Sequence, residues 1–323
     1  MSVEERPQPD CPPGWVLVQP ELVGLCGSDF SIVGGHHGRA APPLVLGHEM
    51  VGTVAGSEPG SPPPGTRVVV NPLLPCGQCW SCRNELPHVC RNLRLIGIDL
   101  DGALAELLTV PAGKLLAVDP ATPVAEAALT EPLAVAVHAV RRAALSAEQT
   151  VLVIGAGPIG VLIGLVAEAA GCRVMVSEPH PTRRRLATDL GLGTLPADVG
   201  PLEALSAATG GQLADVTFDC AGRPPVAALL SAVTRVRGTI VLAGLYGAPA
   251  AIDLHAITFA EQALIGSRVY THADFGHAIS LVEGGTLVLG RLAVQTFPLD
   301  AVGRAFEAAR QGETLKVLVD VRR

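Results

Sequence analysis

One stretch restricts the folding options more than any other. The apolar run Val151-Leu-Val-Ile154 leads into Gly155-Ala-Gly157-Pro158-Ile159-Gly160 and then into a further apolar segment, with no charge from Val151 to Ala167. Such a run has to be tested as a membrane span. Gly155, Gly157, Pro158, Gly160 and Gly164 interrupt it, and it is shorter than the ~20 apolar residues a bilayer requires. It reads instead as strand, tight turn and buried helix, the context in which G-x-G-x-x-G binds a dinucleotide. Gly155 permits the turn, Gly157 lets the backbone approach a pyrophosphate, and Gly160 lets the helix pack on its strand. The diphosphate then sits at the helix N-terminus, opened by Pro158 and Ile159, where the missing proline N–H costs nothing. A purely structural glycine turn is the competing reading. Glu178, 18 residues beyond Gly160, closes the next apolar strand, where an acid pairs with ribose hydroxyls. It favours NAD over NADP, whose 2′-phosphate would meet a like charge. The basic run Thr182-Arg183-Arg184-Arg185 leaves NADP open.

Further apolar strands over Arg173–Ser177, Val216–Asp219, Thr239–Ala243 and Ala263–Ile265 alternate with helical stretches such as Ile159–Ala170 and Thr182–Leu190. This alternation predicts an α/β fold with a Rossmann-type doubly wound parallel sheet. From Val16 to Pro111, short β-type runs broken by Gly and Pro predict a second, strand-rich unit. Val269–Arg323 adds helices over Asp274–Glu283 and Ala301–Arg310 and a last strand over Lys316–Val321. The 323 residues suffice for about two domains. The expected division is a discontinuous catalytic domain of residues 1–131 and 269–323 around a dinucleotide-binding domain of residues 132–268. Lys+Arg 23 against Asp+Glu 30 gives a net charge of −7, so nucleic acid and anionic membrane are poor partners. The first residues carry acids and no apolar stretch, which predicts a cytoplasmic protein without a secretory leader.

Of the eight cysteines, Cys76, Cys79, Cys82 and Cys90 crowd into one short segment. In a reducing compartment such clustering favours metal over disulfides. The spacing matches tetrahedral zinc, and four sulfur ligands close the shell, so the site is expected to be structural. Metal there contributes folding energy to a loop with little core of its own. Buried free thiols are the alternative.

Two shorter motifs, Cys26-Gly-Ser28-Asp29 and Gly47-His48-Glu49, are weak taken singly. In chain order they join the four-cysteine lobe, the segment from Thr130-Glu131-Pro132 to His138, the glycine fingerprint and Leu264-Ile-Gly-Ser267. This succession, from about Glu4 to Val321, resembles the zinc-dependent medium-chain dehydrogenases, the alcohol, polyol and threonine dehydrogenase family. The resemblance implies a GroES-like catalytic domain beside the Rossmann domain, two zinc ions per chain, NAD or NADP, and a homodimer or homotetramer. It makes Cys26 and His48 ligands of a catalytic zinc, with Glu49 and Glu131 completing or exchanging in its shell. Asp29 is expected to accept the far N–H of His48, and Ser28 to accept the alcohol proton. Ser31 stands where many relatives carry the histidine that passes this proton to solvent, with His36 and His37 close by in sequence. Arg183 matches a position also found in NAD-using relatives. Lys316 resembles a position near the pyrophosphate and reads equally well as a surface lysine. Tyr270 matches a place that contacts a polyol hydroxyl. Relatives also carry a strand ahead of the segment matching Val3–Pro9, so either an edge strand is lost or the start is misassigned.

The implied chemistry is reversible hydride transfer from a secondary alcohol (a polyol, cyclitol, sugar derivative, diol or threonine-like compound) to nicotinamide, with zinc acidifying the alcohol. The partner is then a small-molecule alcohol. A non-catalytic NAD-binding regulator or scaffold on the same fold is the alternative from another class. A zinc-free quinone or enoyl reductase would lack both sets of zinc motifs.

Overall fold

The computed structural model describes residues 2–56 and 58–323. The chain forms two compact units: Met1–Ala134, Thr271–Gly285 and Ala293–Arg323 make the first, and Val135–Tyr270 with Thr286–Leu292 the second. The sequence put residues 286–292 with the catalytic portion, but they cluster with the second unit. Leu287, Leu289 and Leu292 are buried, and Arg291 donates to the Asp189 carbonyl of that unit at 2.5 Å.

In the first unit the strands run β1 (Trp15–Gly24), β2 (Glu49–Val54), β3 (Arg67–Val70), β4 (Leu73–Leu74), β5 (Arg94–Leu95), β6 (Leu108–Pro111) and β7 (Leu115–Ala117). Helices α1 (Gly27–Val33), α2 (Trp80–Arg83), α3 (Val124–Ala127) and α4 (Thr130–Ala143) punctuate them, and the boundary between the units falls within α4. The second unit holds β8 (Thr150–Ile154), α5 (Pro158–Ala169), β9 (Arg173–Ser177), α6 (Pro181–Asp189), β10 (Gly193–Thr194), β11 (Ala214–Asp219), β12 (Thr234–Leu242) and β13 (Ala263–Gly266). The chain then returns to the first unit for β14 (Val294–Pro298) and β15 (Lys316–Asp320).

β1 organises the first unit. Its opening residues, Trp15–Val18, pair with β6, and its last, Leu22–Gly24, lie between β2 and β15. Burial follows this change of neighbours. The first half alternates between buried and part-exposed positions, whereas Leu22–Gly24 are buried on both faces. Val16, Val18, Val23, Met50, Val68, Val317 and Val319 form the core beneath, closed by Phe306 from the helix Val302–Gln311. β-Branched side chains dominate because they pack well on a pleated surface.

The second unit is a six-stranded sheet in the order β10-β9-β8-β11-β12-β13, parallel throughout. Helices cover its faces, which explains the unbroken apolar character of β8 and the burial of α5 from Gly160 to Ala167. From β8 the chain moves first to β9 on one side and later to β11 on the other. The crevice for a ligand is therefore expected beyond the carboxyl ends of β8 and β11. Among the described residues no helix is long and apolar enough to cross a membrane.

Candidate active site

Sheet register assembles the first cluster. Gly24, at the end of β1, lies opposite Glu49 of β2 on one side and Leu318 of β15 on the other. Two residues on, Cys26 caps α1, and the Asp29 carboxylate turns back to accept the Cys26 N–H at 2.8 Å. The ligand atoms of Cys26, His48 and Glu49 lie within 4.8 Å of one another. Ser28 places its Oγ 3.5 Å from His48 Nε2. Glu131, at the start of α4, is buried but stands outside that mutual distance.

Lys316 is not a surface lysine. It is 5% exposed, and its Nζ is ion-paired with Glu49 Oε2. Gly24 makes this possible, because a Cβ there would fall on the Glu49 carboxylate and 2.9 Å from Lys316 Cε. Asp29 Oδ1 lies 3.8 Å from His48 Nδ1, beyond hydrogen-bond length, so the expected bond is an electrostatic contact. The reason is local: the other Asp29 oxygen is committed to the cap of α1.

The electrostatics of the cluster favour positive charge. Burial by itself would depress His48, yet Cys26, Asp29 and Glu131 hold it well above the ordinary histidine range. Burial likewise works against Lys316, and Glu49, Cys26 and Glu131 outweigh it and raise it. Burial pushes Asp29 up, with His48 opposing. At both His48 and Lys316 the neighbouring thiol and carboxyl groups thus outweigh burial. Asp29 Oδ1 and His48 Nδ1 have no hydrogen-bond partner, a cost the fold tolerates at a site built for a ligand. A thiolate, an imidazole and a carboxylate at this spacing suit zinc, and three protein ligands leave a position open.

The second cluster is built within one loop. The Sγ atoms of Cys79 and Cys82 are 3.5 Å apart, those of Cys79 and Cys90 3.7 Å, and those of Cys76 and Cys90 3.5 Å. A tetrahedron of Zn–S bonds has edges of about 3.8 Å, so the four sulfurs fit the ion as they stand. Backbone N–H groups of Cys82 and Arg91 lower Cys79 to about 6, which favours the thiolate that a metal needs.

In the second unit, Gly155 takes φ +103°, and Gly157 caps α5 with nothing within 4 Å of where a Cβ would stand. Pro158 and Ile159 form the first turn. A Cβ on Gly160 would collide with the Gly155 carbonyl, the close helix-to-strand contact that the fingerprint implies. Glu178 follows β9 and is buried. One of its oxygens accepts the Ala156 N–H and the other the His180 N–H, both at 2.8 Å. The carboxylate thus clamps the glycine loop, a role the sequence did not reveal. Arg184 donates to the carbonyls of Glu178 and Pro179 at 2.9 and 3.3 Å, while Arg183 is half-buried at the start of α6. Tyr270 is fully buried in the core.

The chain is similar to known proteins. Residues 12–120 match the alcohol dehydrogenase GroES-like domain, and residues 158–284 match the zinc-binding dehydrogenase domain. A 2-dehydro-3-deoxy-L-galactonate 5-dehydrogenase of Pseudoalteromonas atlantica is 37% identical over 300 residues, 91% of this chain and 87% of that protein. An L-galactonate-5-dehydrogenase of Escherichia coli is 34% identical over 297 residues, covering 90% and 86%. Among solved structures, a zinc-binding dehydrogenase from Sinorhizobium meliloti bound to NADP superposes with a TM-score of 0.93 at 30% identity, covering 99% of this chain and 95% of the other. An alcohol dehydrogenase from Escherichia coli complexed with NADH gives 0.92 at 29% identity, with the same coverage. With both domain families matched in order, and relatives this similar over nine-tenths of its length, the chain belongs to the zinc-binding alcohol dehydrogenases, a family of oxidoreductases.

Proposed function

We propose that the protein reversibly oxidises a secondary hydroxyl of a linear polyol or sugar acid to a ketone, with NAD as hydride acceptor. The observation that carries this is the convergence of Cys26, His48 and Glu49 within 4.8 Å, with Ser28 beside His48. Relatives named as 5-dehydrogenases of galactonate, of its 2-dehydro-3-deoxy derivative and of altritol support an open-chain polyhydroxy substrate.

In this reading Cys26, His48, Glu49 and Glu131 hold the catalytic zinc, and Cys76, Cys79, Cys82 and Cys90 the structural one. The bound zinc supplies Lewis-acid polarisation of the substrate oxygen, and the nicotinamide ring takes the hydride. Ser28 accepts the alcohol proton; its hydroxyl lies on the Nε2 side of His48. Asp29 steadies His48 electrostatically, and Lys316 holds Glu49 in the gap over Gly24. Gly155, Gly157, Pro158, Ile159 and Gly160 take the diphosphate, with Glu178 and Arg183 toward the adenosine end. Onward proton transfer does not run through a titrating Ser31. His37 already receives the Ala40 N–H on Nδ1 at 3.2 Å, which leaves His36, exposed at the end of this loop, nearer to solvent.

A homodimer or homotetramer is consistent with β13, the sheet's outer strand, whose residues are largely exposed. A cytoplasmic location fits the reducing conditions that free thiolate ligands need. The decisive experiment is a nicotinamide-absorbance screen of aldonates, alditols, cyclitols and 3-hydroxy amino acids with protein of measured zinc content. Turnover confined to open-chain polyhydroxy compounds is expected. Protein with two zinc ions that binds NADH yet turns over none of them would favour the regulator reading.

A further inference from the structure

His48 enters its cluster without the device that ordinarily aims a ligand histidine. Such a ring donates its far N–H to a carboxylate or carbonyl. Nδ1 of His48 has no hydrogen-bond partner among the described residues, and Asp29 stops 3.8 Å short of it. With the ring unanchored on that side, its direction is set by the backbone that delivers it.

That backbone is clamped. Residues 45–47 run beside residues 101–104, in the segment between β5 and β6. The N–H groups of Gly102, Leu104 and Ala103 donate to the carbonyls of Val45, Leu46 and Gly47 at 2.8, 2.9 and 2.9 Å, and Asp101 Oδ1 accepts the Val45 N–H at 2.8 Å. Two glycines then enclose the Gly47 carbonyl, which belongs to the peptide joining Gly47 to His48. A Cβ on Gly97 would lie 2.5 Å from its oxygen, and one on Gly102 would collide with the same oxygen. Gly97, at φ +82°, is required by its conformation as well. Gly102 lies outside the left-handed region, so close approach alone excludes a side chain there.

We propose that Gly102 and Gly97 are positioning residues: by seating the Gly47–His48 peptide they aim His48 at the point it shares with Cys26 and Glu49. This rests on the reading of those three residues as metal ligands. Ordinary contact needs about 3.5 Å, so a methyl group on Gly102 would push the Gly47 carbonyl away by roughly 1 Å. A working site must be held within about 0.5 Å. From Glu49 onward β2 is held by its pairing with β1, so the displacement falls on His48.

The experiment uses the full-length protein with zinc kept in the four-cysteine site and cobalt(II) titrated into the other, read by its visible absorption. Gly102→Ala is expected to bind cobalt about 10- to 100-fold more weakly, the range for losing support behind a ligand, and to shift the ligand-field bands. Gly52→Ala is the control for general loosening. Its Cβ would lie 2.5 Å from the Gln19 carbonyl oxygen, a comparable clash four residues beyond His48 and against β1. It should lower the melting temperature and leave cobalt affinity and bands as in the wild type. Wild-type cobalt binding and bands in Gly102→Ala overturn the proposal, as do equal changes in both variants, and either result leaves the ligand set intact. Should Gly102→Ala not fold, Asp101→Ala frees the Val45 N–H without adding an atom. Weaker cobalt binding there, restored by Asp101→Asn, is expected, and unchanged binding overturns the proposal. Wild-type protein that takes up no cobalt outside the four-cysteine site overturns both readings.

Discussion

Glu178→Ala separates clamping of the glycine loop from cofactor recognition, because the structure gives the carboxylate work to do before any cofactor arrives. The Ala156 N–H, on a residue with no exposed surface, points at Glu178 Oε2, and its loss leaves a buried donor without an acceptor. That costs about 1–3 kcal/mol. The His180 N–H is on an exposed residue, and water replaces the lost oxygen at little cost. The net loss is about 2 kcal/mol, concentrated at the turn between β8 and α5. For a unit of this size it corresponds to a fall in melting temperature of roughly 4–8 °C. Scanning calorimetry of the nucleotide-free variant is the direct assay, with amide exchange over residues 155–160 as the local one. Glu178→Gln, which keeps one acceptor, should lose about half as much. An unchanged nucleotide-free transition accompanied by weaker NADH binding would refute the clamp and leave Glu178 a ribose ligand only.

Lys316→Met strands a buried carboxylate, so chelator-treated protein should lose about 3–5 kcal/mol in urea unfolding, and less once zinc is restored to neutralise Glu49. Equal losses with and without zinc would show that the ion never meets that carboxylate. Cys82→Ser opens the sulfur tetrahedron; zinc content should fall by one ion per chain, and the loop from Cys76 to Cys90 should become sensitive to protease. Ser28→Ala should lower turnover about 10²–10⁴-fold at unchanged zinc content, as loss of a proton-transfer group does. Ser31→Ala should change it little, and similar modest losses in both would reduce Ser28 to a loop-shaping residue.

The features legible in the sequence were those whose parts are close along the chain. Four cysteines in one loop, a glycine spacing between strand and helix, and Cys26 three residues from Asp29 are fixed by local geometry. The burial of Lys316 was not legible because its partner, Glu49, lies in a different strand, and only the register of β1 with both β2 and β15 brings them together. Gly24 carries no signal of its own, since its importance lies in what a side chain there would strike. Glu178 was correctly singled out as an acid at the end of β9. Its bond to Ala156 was not legible, because the direction a carboxylate turns depends on which amides the neighbouring loop leaves open. The boundary at residues 286–292 depends on three buried leucines whose host core no local pattern identifies.

The pairing of β1 with β15 governs the order in which this chain can be finished. Glu21 and Arg322, 301 residues apart, are joined at 2.8 Å, and Leu22–Gly24 sit against Leu318–Asp320. On the ribosome β1 emerges early, while β15 follows only after the second unit, Val135–Tyr270, has been synthesised. Until then one edge of the strand leading to Cys26 is bare, and the Glu49 carboxylate lacks its lysine. The nascent chain therefore passes through a state in which a Rossmann unit is free to close while a partly built sheet displays a hydrophobic edge. Conditions that slow synthesis between the two strands prolong that state. Aggregation during expression should accordingly track translation speed more closely than the stability of the finished protein.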